Sequence, residues 1–414
     1  MSDTVDGQLS KEQEAEFQRQ WDILSFGISE ITPEPDFKKM LRHSIKEGKP
    51  LRIKCGIDPT GFDVHLGHLV PYKKMRQFQD LGHLGVVIIG DYTASIGDPS
   101  GKDASRGALT ADEVRANART YMEQVYTVVD VDKTEVCYQT EWFEEVGLRD
   151  VIGWAAETTC AKLLSHDTFA KRLKEGSPLA LHELFYPVLQ GIDSVYVKAD
   201  VELGGSDQKF NVLMGRDYQK HRGMRPQVAM LLPIITGTCG TQKMSKSLNN
   251  YIAIKDEPFD KFGKIMSIPD ELMPEYYQYI SSFDRGEIES ILSGLKDGSL
   301  HPNEVKKKLA MNVVDFFHGE GSGASMREKF EAVFKKGGVP DDAPEIEFTR
   351  GALLIDILLE GGVVPSKKEA RRMVEANAVG IVDEDKINNI EALLDESFAG
   401  KVIKVGKRKF LKLK

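Results

Sequence analysis

LRIKCGIDPTGFDVHLGHLV, residues 51–70, begins as one kind of secondary structure and ends as another. LRIKCGID is an apolar run with β-branched character, which reads as a buried strand. Asp58, Pro59 and Thr60 then make a turn, and a helix starts near His65 to His68. The unit repeats outward. LGVVIIGD (84–91), DVEL (200–203) and AMLLPIIT (229–236) are further strand candidates. LVPYKKMRQFQDLG (69–82) and SDQKFNVLMGRDYQKH (206–221) are helical stretches between them. Strands and helices in alternation, with strands apolar throughout, predict an α/β parallel sheet covered on both faces.

The other regions read differently. Residues 1–50 predict a helical segment, broken at TPEP. Residues 51–255 form the sheet domain, with a helical insertion over about 110–195 and a polar loop at 238–250. Residues 256–335 look helical, and 336–350 read as a Gly/Pro/acid linker. Residues 351–414 form a small α+β module. In it, Ser366 and Glu369 suggest a capping box. The tail KVIKVGKRKFLKLK reads as a hairpin turning at Gly406.

At 414 residues, 41% apolar and 29% charged, the composition is that of a globular protein of about two to four domains. Four cysteines without close spacing argue against a zinc site or a disulfide framework. The polar, acidic start is unlike a secretory signal and the apolar runs are too short to span a bilayer. A cytoplasmic protein with no membrane association is expected. Net charge is −9 overall, yet residues 351–414 carry 12 basic and 10 acidic residues, against a net of −11 elsewhere. Lys367, Lys368, Arg371 and Arg372 on one helix, with Lys407 and Arg408 in the tail, suggest contact with an RNA backbone. A solvated charged face is the plain alternative.

Two motifs carry the chemistry. His65 and His68 lie three apart, on one face if the helix begins there, with Gly67 between them leaving room for a ligand. A helix start offers N–H groups and partial positive charge to an anion. Alone, this pattern is weak and is more often a surface pair or half a metal site. The second motif is KMSKS, residues 243–247, in which Lys243 and Lys246 sit three apart on a polar loop. One polyphosphate-ready turn after the first strand and one lysine loop after the last can meet at the carboxyl edge of a parallel sheet, where open α/β sheets bind ligands.

HLGH (65–68) and KMSKS together resemble the signature motifs of the class I aminoacyl-tRNA synthetases. IGDPSGK (96–102), LQGIDS (189–194) and LGGSDQKFN (203–211) narrow the resemblance to the bacterial tyrosyl-tRNA synthetases, and the C-terminal module resembles their small RNA-binding domain. The resemblance implies a Rossmann-type catalytic domain followed by an α-helical tRNA anticodon-region domain. It implies ATP as substrate, with Mg²⁺ on its phosphates and no protein-bound metal. L-tyrosine and tRNA(Tyr) are the implied partners, and the subunits form a homodimer.

The resemblance also assigns roles. Thr60, His65 and His68 lie on one side of the phosphates and Lys243 and Lys246 on the other. Lys102 and Arg106 match a second basic loop that reaches pyrophosphate. Asp98, Tyr186 and Gln190 match positions that bind the α-ammonium, with Asp58 close by and Gln208 near the carboxylate. Asp207 matches a ribose acceptor, while Gly56 and Gly205 admit the nucleotide. Asp193 matches the acceptor for the phenol. Lys54 stands where the family often has a second phenol ligand, a tyrosine. It either donates to the phenol or pairs with Asp193. A tryptophan-activating relative and an inactive RNA-binding scaffold are the competing readings. Asp193 and the C-terminal module oppose the first, and the intact histidines and lysines oppose the second.

Overall fold

The computed structural model describes residues 9–59, 64–99, 111–335, 343–382, 384, 386–406 and 409–414. The chain divides into two compact units, Met1–Glu320 and Gly321–Lys414.

The first unit is built on a six-stranded sheet of β1 (Glu30–Thr32), β2 (Arg52–Ile57), β3 (Leu84–Ile89), β4 (Thr134–Tyr138), β5 (Val201–Gly205) and β6 (Val228–Leu232). Its order is β1-β6-β5-β2-β3-β4. All neighbouring pairs are parallel except β1 with β6. Ile53, Val86, Val87, Ile88, Val201, Leu203 and the whole of β6 are buried, as expected of strands covered on both faces. Strand order reverses beside β2: β3 and β4 lie on one side, β5 and β6 on the other. The crevice at the carboxyl ends of β2 and β5 is therefore the switch point where such sheets take ligands.

Two expectations need correction. The N-terminal segment is not all helical, because Glu30–Thr32 adds β1 to the sheet edge. The insertion over about 110–195 is interrupted by β4, which extends the sheet beyond β3. TEVCY is short, charged and only half-buried at an edge, so its apolar signal is weak.

Helices fill 258–318. Lys261 there is fully buried, donating to the carbonyl of Ile254 at 2.7 Å and hydrogen-bonded to His318 Nε2 at 2.8 Å. Burial lowers its pKa to about 8. Its bond fixes the chain just after the lysine loop.

In the second unit, β7 (Glu345–Ile346), β12 (Lys409–Leu413), β11 (Val402–Val405) and β9 (Val379–Ile381) form one sheet in that order. β8 (Ala352–Leu353) pairs with β10 (Leu393–Leu394). β11 and β12 are antiparallel, and Gly406 has φ 65°, the left-handed value the turn requires. β7 arises from the stretch expected as a linker and pairs with β12. Leu354, Leu358, Ala370, Val374, Ile403 and Leu411 form the core. Ser366 Oγ accepts from the Glu369 N–H at 3.2 Å. The Glu369 carboxylate turns to Arg372 instead of completing a capping box.

Candidate active site

The histidine motif after β2 is joined to the segment that follows the lysine loop. The Leu66 N–H donates to the Ile252 carbonyl at 3.0 Å, Ile254 N–H donates to Val64 at 2.9 Å, and His65 forms an isolated β-bridge with Ala253. Met244, the apolar residue of KMSKS, is buried. A methyl group at Gly67 would lie 3.2 Å from the His65 ring and 3.6 Å from Met244. The open space expected at Gly67 for a ligand is therefore taken by the neighbouring imidazole. At Gly56, by contrast, a methyl group would meet nothing within 4 Å.

The rings of His65 and His68 stack with centroids 3.5 Å apart. Burial first, then His68, Lys246 and Lys243, depress His65 to about 2. His68 has an edge open to water, but the protein packed around it, followed by Lys246 and Lys243, lowers it to about 4. Both imidazoles are therefore neutral near pH 7. The backbone N–H of His65 donates to His68 Nδ1 at 3.4 Å, so the neutral His68 ring carries its proton on Nε2. Nδ1 of His65 is buried without a hydrogen-bond partner. A polar atom left this way suits a site that is completed by a ligand.

Asn250 shapes the lysine loop. It is buried, its Oδ1 accepts from the Ser245 N–H at 2.8 Å, and its Nδ2 donates to the Lys243 carbonyl at 3.0 Å. A side chain at Gly237 would collide with it at 2.3 Å, and Asn249 adopts φ 50° to complete the turn. At the loop's root, Thr236 donates its N–H to Glu275 at 2.6 Å, and its carbonyl accepts from the Tyr276 hydroxyl at 2.9 Å. Sequence reasoning missed Gly237, Asn250 and Glu275. The NN pair after KMSKS was the available signal for the turn.

A second cluster lies beside the same sheet edge. Asp58 accepts from the Thr93 hydroxyl at 2.7 Å and the Tyr186 hydroxyl at 2.9 Å. Burial raises its pKa to about 7; Thr93 and Tyr186 oppose this and Asp98 adds to it. Gly90 is fixed by this arrangement, since a methyl there would fall 2.1 Å from Asp58 Oδ1. Asp98 accepts from Gln208 Nε2 at 2.7 Å. At the end of β5, Asp207 is acted on by Lys243 from the loop and by Asp98. Asp193, on the helix Tyr186–Tyr196, is buried and accepts from Gln139 at 2.8 Å and Trp142 at 3.1 Å. Burial pushes it up to about 7, with Lys54 and Gln139 pulling it back.

Lys54 corrects the sequence reading. It is completely buried and pairs with Glu202 at 2.9 Å, not with Asp193. It also donates to the Gln190 carbonyl at 2.9 Å and the Ser194 hydroxyl at 2.7 Å. Three partners use all three ammonium protons, so none remains for a phenol.

Thr60, Lys102, Arg106, Lys407 and Arg408 lie outside the described residues. Of the helical cations in the second unit, Lys367 pairs with Asp356 at 2.8 Å and Arg372 with Glu369 at 2.6 Å. Lys368 and Arg371 on the same helix are exposed. Among the described residues, no group of three or more His, Cys, Asp or Glu is placed to hold a metal ion. No helix among them is long and apolar enough to cross a membrane.

A family model described as tRNA synthetases class I (W and Y) matches residues 46–335. The chain belongs to this family. A second model, the tyrosine–tRNA ligase SYY-like C-terminal domain, matches residues 335–413 of this synthetase. It is 45% identical over 414 residues to the tyrosine–tRNA ligase of Moorella thermoacetica, covering 100% of this chain and 99% of that one. It is 42% identical over 395 residues to that of Thermotoga maritima, covering 92% and 98%. The fold is similar to that of a truncated Coccidioides posadasii mitochondrial tyrosyl-tRNA synthetase, with TM-score 0.62 at 20% identity over 77% of this chain and 93% of that one. The synthetase of Archaeoglobus fulgidus, complexed with L-tyrosine, gives TM-score 0.60 at 20% identity over 75% and 99%.

Proposed function

We propose that this synthetase activates L-tyrosine with ATP and transfers it to the 3′ end of tRNA(Tyr). The observation that supports this reading is the backbone junction between the His65–His68 motif and the segment directly after the lysine loop, with Lys243 and Lys246 close enough to act on both imidazoles.

A carboxylate oxygen of tyrosine attacks the α-phosphorus of ATP. The new oxygen–phosphorus bond forms as the bond to pyrophosphate breaks, and pyrophosphate leaves with the electron pair. No side chain acts as nucleophile, so the protein works by orienting the reactants and stabilising charge. Neutral His65 and His68 donate N–H groups to one side of the phosphates, with Thr60 beside them. Lys243 and Lys246 approach the other side, and Lys102 and Arg106 reach the departing pyrophosphate. Lysines on a loop bind most tightly where charge builds up in the transition state. Mg²⁺ bound to the ATP phosphates would neutralise part of their charge.

Asp58, Asp98, Tyr186 and Gln190 receive the α-ammonium, and Gln208 lies toward the carboxylate. A bound ammonium favours the ionised form of Asp58. Asp207 takes a ribose hydroxyl, and Gly56 and Gly205 admit the nucleotide. Asp193 accepts a hydrogen bond from the phenol hydroxyl. Its two oxygens each accept one internal bond, which leaves lone pairs for that hydroxyl. Lys367, Lys368, Arg371, Arg372, Lys407 and Arg408 bind the RNA backbone, and the helices of 256–335 serve the anticodon region. The second step moves tyrosine from the adenylate to the terminal ribose and releases AMP.

The synthetase works as a homodimer in the cytoplasm. Leu148, Ile152 and Leu181 of the insertion are 75%, 60% and 73% exposed, apolar surface that a second copy would cover. ATP–pyrophosphate exchange tests the central reading. Tyrosine should drive exchange, while exchange with tryptophan alone would overturn the assignment.

A further inference from the structure

Lys54 and Glu202 stand directly opposite each other in the register of β2 and β5. Glu202 is the one charged residue of β5, and Lys54 is the buried charge of β2, where Arg52 at the strand's start is only half-buried; their side chains are 0% and 1% exposed. Their surroundings form a closed polar network. Glu202 Oε1 accepts from Lys54 and from Gln190 Nε2 at 3.1 Å. Glu202 Oε2 accepts from the Ser194 hydroxyl at 3.1 Å and from Gln227. Lys54 closes it through the Gln190 carbonyl and Ser194. Gln190, Asp193 and Ser194 belong to one helix, Tyr186–Tyr196, so the pair grips that helix at two of these positions.

Burying two charges is costly, and an apolar pair of similar volume would hold the strands together as well or better. An apolar pair could not fix the Gln190 amide or hold a backbone carbonyl one turn before Asp193. The geometry points to Lys54 and Glu202 as positioning residues for tyrosine specificity: acting through Gln190 and the Tyr186–Tyr196 helix, they aim Asp193 and Gln190 at the amino acid without touching it. This rests on the tyrosine reading above. It replaces direct recognition of the phenol by Lys54 with control from one layer beneath the pocket.

The test uses the full-length enzyme and a paired substitution, Lys54→Met with Glu202→Met, which leaves no lone buried charge. A misplacement of about 1 Å can cost on the order of 10²-fold in rate. The paired variant should therefore lose at least about tenfold of its tyrosine-over-phenylalanine ratio of kcat/KM in pyrophosphate exchange. Its KM for tyrosine should rise, while its KM for ATP and its thermal midpoint stay near those of the parent. An unchanged ratio in a folded variant, or equal rises in both KM values, would overturn the inference. A structure of the parent enzyme with bound tyrosine supplies a measurement independent of folding. The Lys54–Glu202–Gln190 network should persist, and Lys54 Nζ within about 3.2 Å of the phenol oxygen would sink the proposal. Parent enzyme inactive with tyrosine would instead refute the functional reading itself.

Discussion

The Leu66 N–H donates to the carbonyl of Ile252 at 3.0 Å, tying the histidine turn to the strand-like segment just beyond the lysine loop. The chain just beyond the loop is thus fixed, and Lys243 and Lys246 lie close enough to the histidines to help lower their pKa values. A cation held this way contributes mainly where charge develops. Lys243→Ala should slow adenylate formation by roughly 10² or more, the usual loss when one transition-state donor is removed. Tyrosine affinity, measured by equilibrium binding, should barely change. Equal losses in both would show that the lysine serves ground-state binding instead.

Asn250 holds the loop from inside by bonding Ser245 and Lys243. Asn250→Ala removes two hydrogen bonds to part-buried backbone groups, a cost of about 1 kcal/mol or somewhat more. The expected result is a lower kcat for exchange with little change in KM for tyrosine, together with a lower unfolding midpoint. Wild-type kcat in a measurably destabilised variant would separate the latch from catalysis.

Asp193 is the group proposed to recognise the phenol. A site that bonds a substrate hydroxyl rejects the analogue lacking it because its own buried groups are left unpaired, and tyrosyl-tRNA synthetase is itself the standing example of this, at about 10⁵-fold. Asp193→Ala should remove most of the preference for tyrosine over phenylalanine, chiefly by lowering kcat/KM for tyrosine. Competition kinetics with both amino acids would show it. A preserved preference would place the phenol elsewhere.

The sequence exposed the parts of this protein governed by local periodicity and by chemistry-bearing motifs. β2, β3 and β6 were visible because continuous apolar runs mark strands buried on both faces. The histidines and the lysine loop stood out because their residue types are unusual in such places. β4 and β1 were hidden, since edge strands are short and half-buried, and pairing with a neighbour creates them. Lys54 shows the sharper limit. Its position suggested a substrate ligand, but its partner Glu202 lies 148 residues further along and meets it through sheet register alone. Glu202, flanked by apolar residues in DVEL, was the available signal. Pairing it with Lys54 of LRIKCGID required knowing that β2 and β5 are neighbours.

His83 makes stability depend on pH. Burial lowers its pKa to about 4 from an ordinary 6.5. Its Nδ1 accepts from the Leu51 N–H at 3.1 Å, and its Nε2 lies 3.3 Å from Gln20 Oε1, an arrangement that requires the neutral ring. Between these two pH values the unfolded chain binds a proton that the folded chain refuses. Stability from this group is therefore full above about pH 6.5 and declines as pH falls toward 4, by up to about 3 kcal/mol. His65 and His68 act in the same direction. Urea unfolding at pH 8, 6 and 4.5 should show the decline, and His83→Gln should flatten part of it. Stability that rises on acidification through this window would contradict a neutral, buried His83.

Removing the C-terminal module separates the two steps of the reaction. The cut belongs before residue 343, because Glu345–Ile346 pairs with β12 and the Pro344 carbonyl accepts from Lys412 at 2.9 Å. Cutting at 351 would strand β7 without its partner. The module carries exposed Lys368 and Arg371 and none of the groups clustered at the carboxyl edge of the large sheet. Deletion of 343–414 should leave tyrosine-dependent pyrophosphate exchange intact. It should lower kcat/KM for tRNA charging on the order of 10² or more, as loss of several phosphate contacts does, and weaken the salt dependence of what remains. If exchange collapses together with charging, the module supports the catalytic fold. If charging survives, the basic helix does not bind the tRNA.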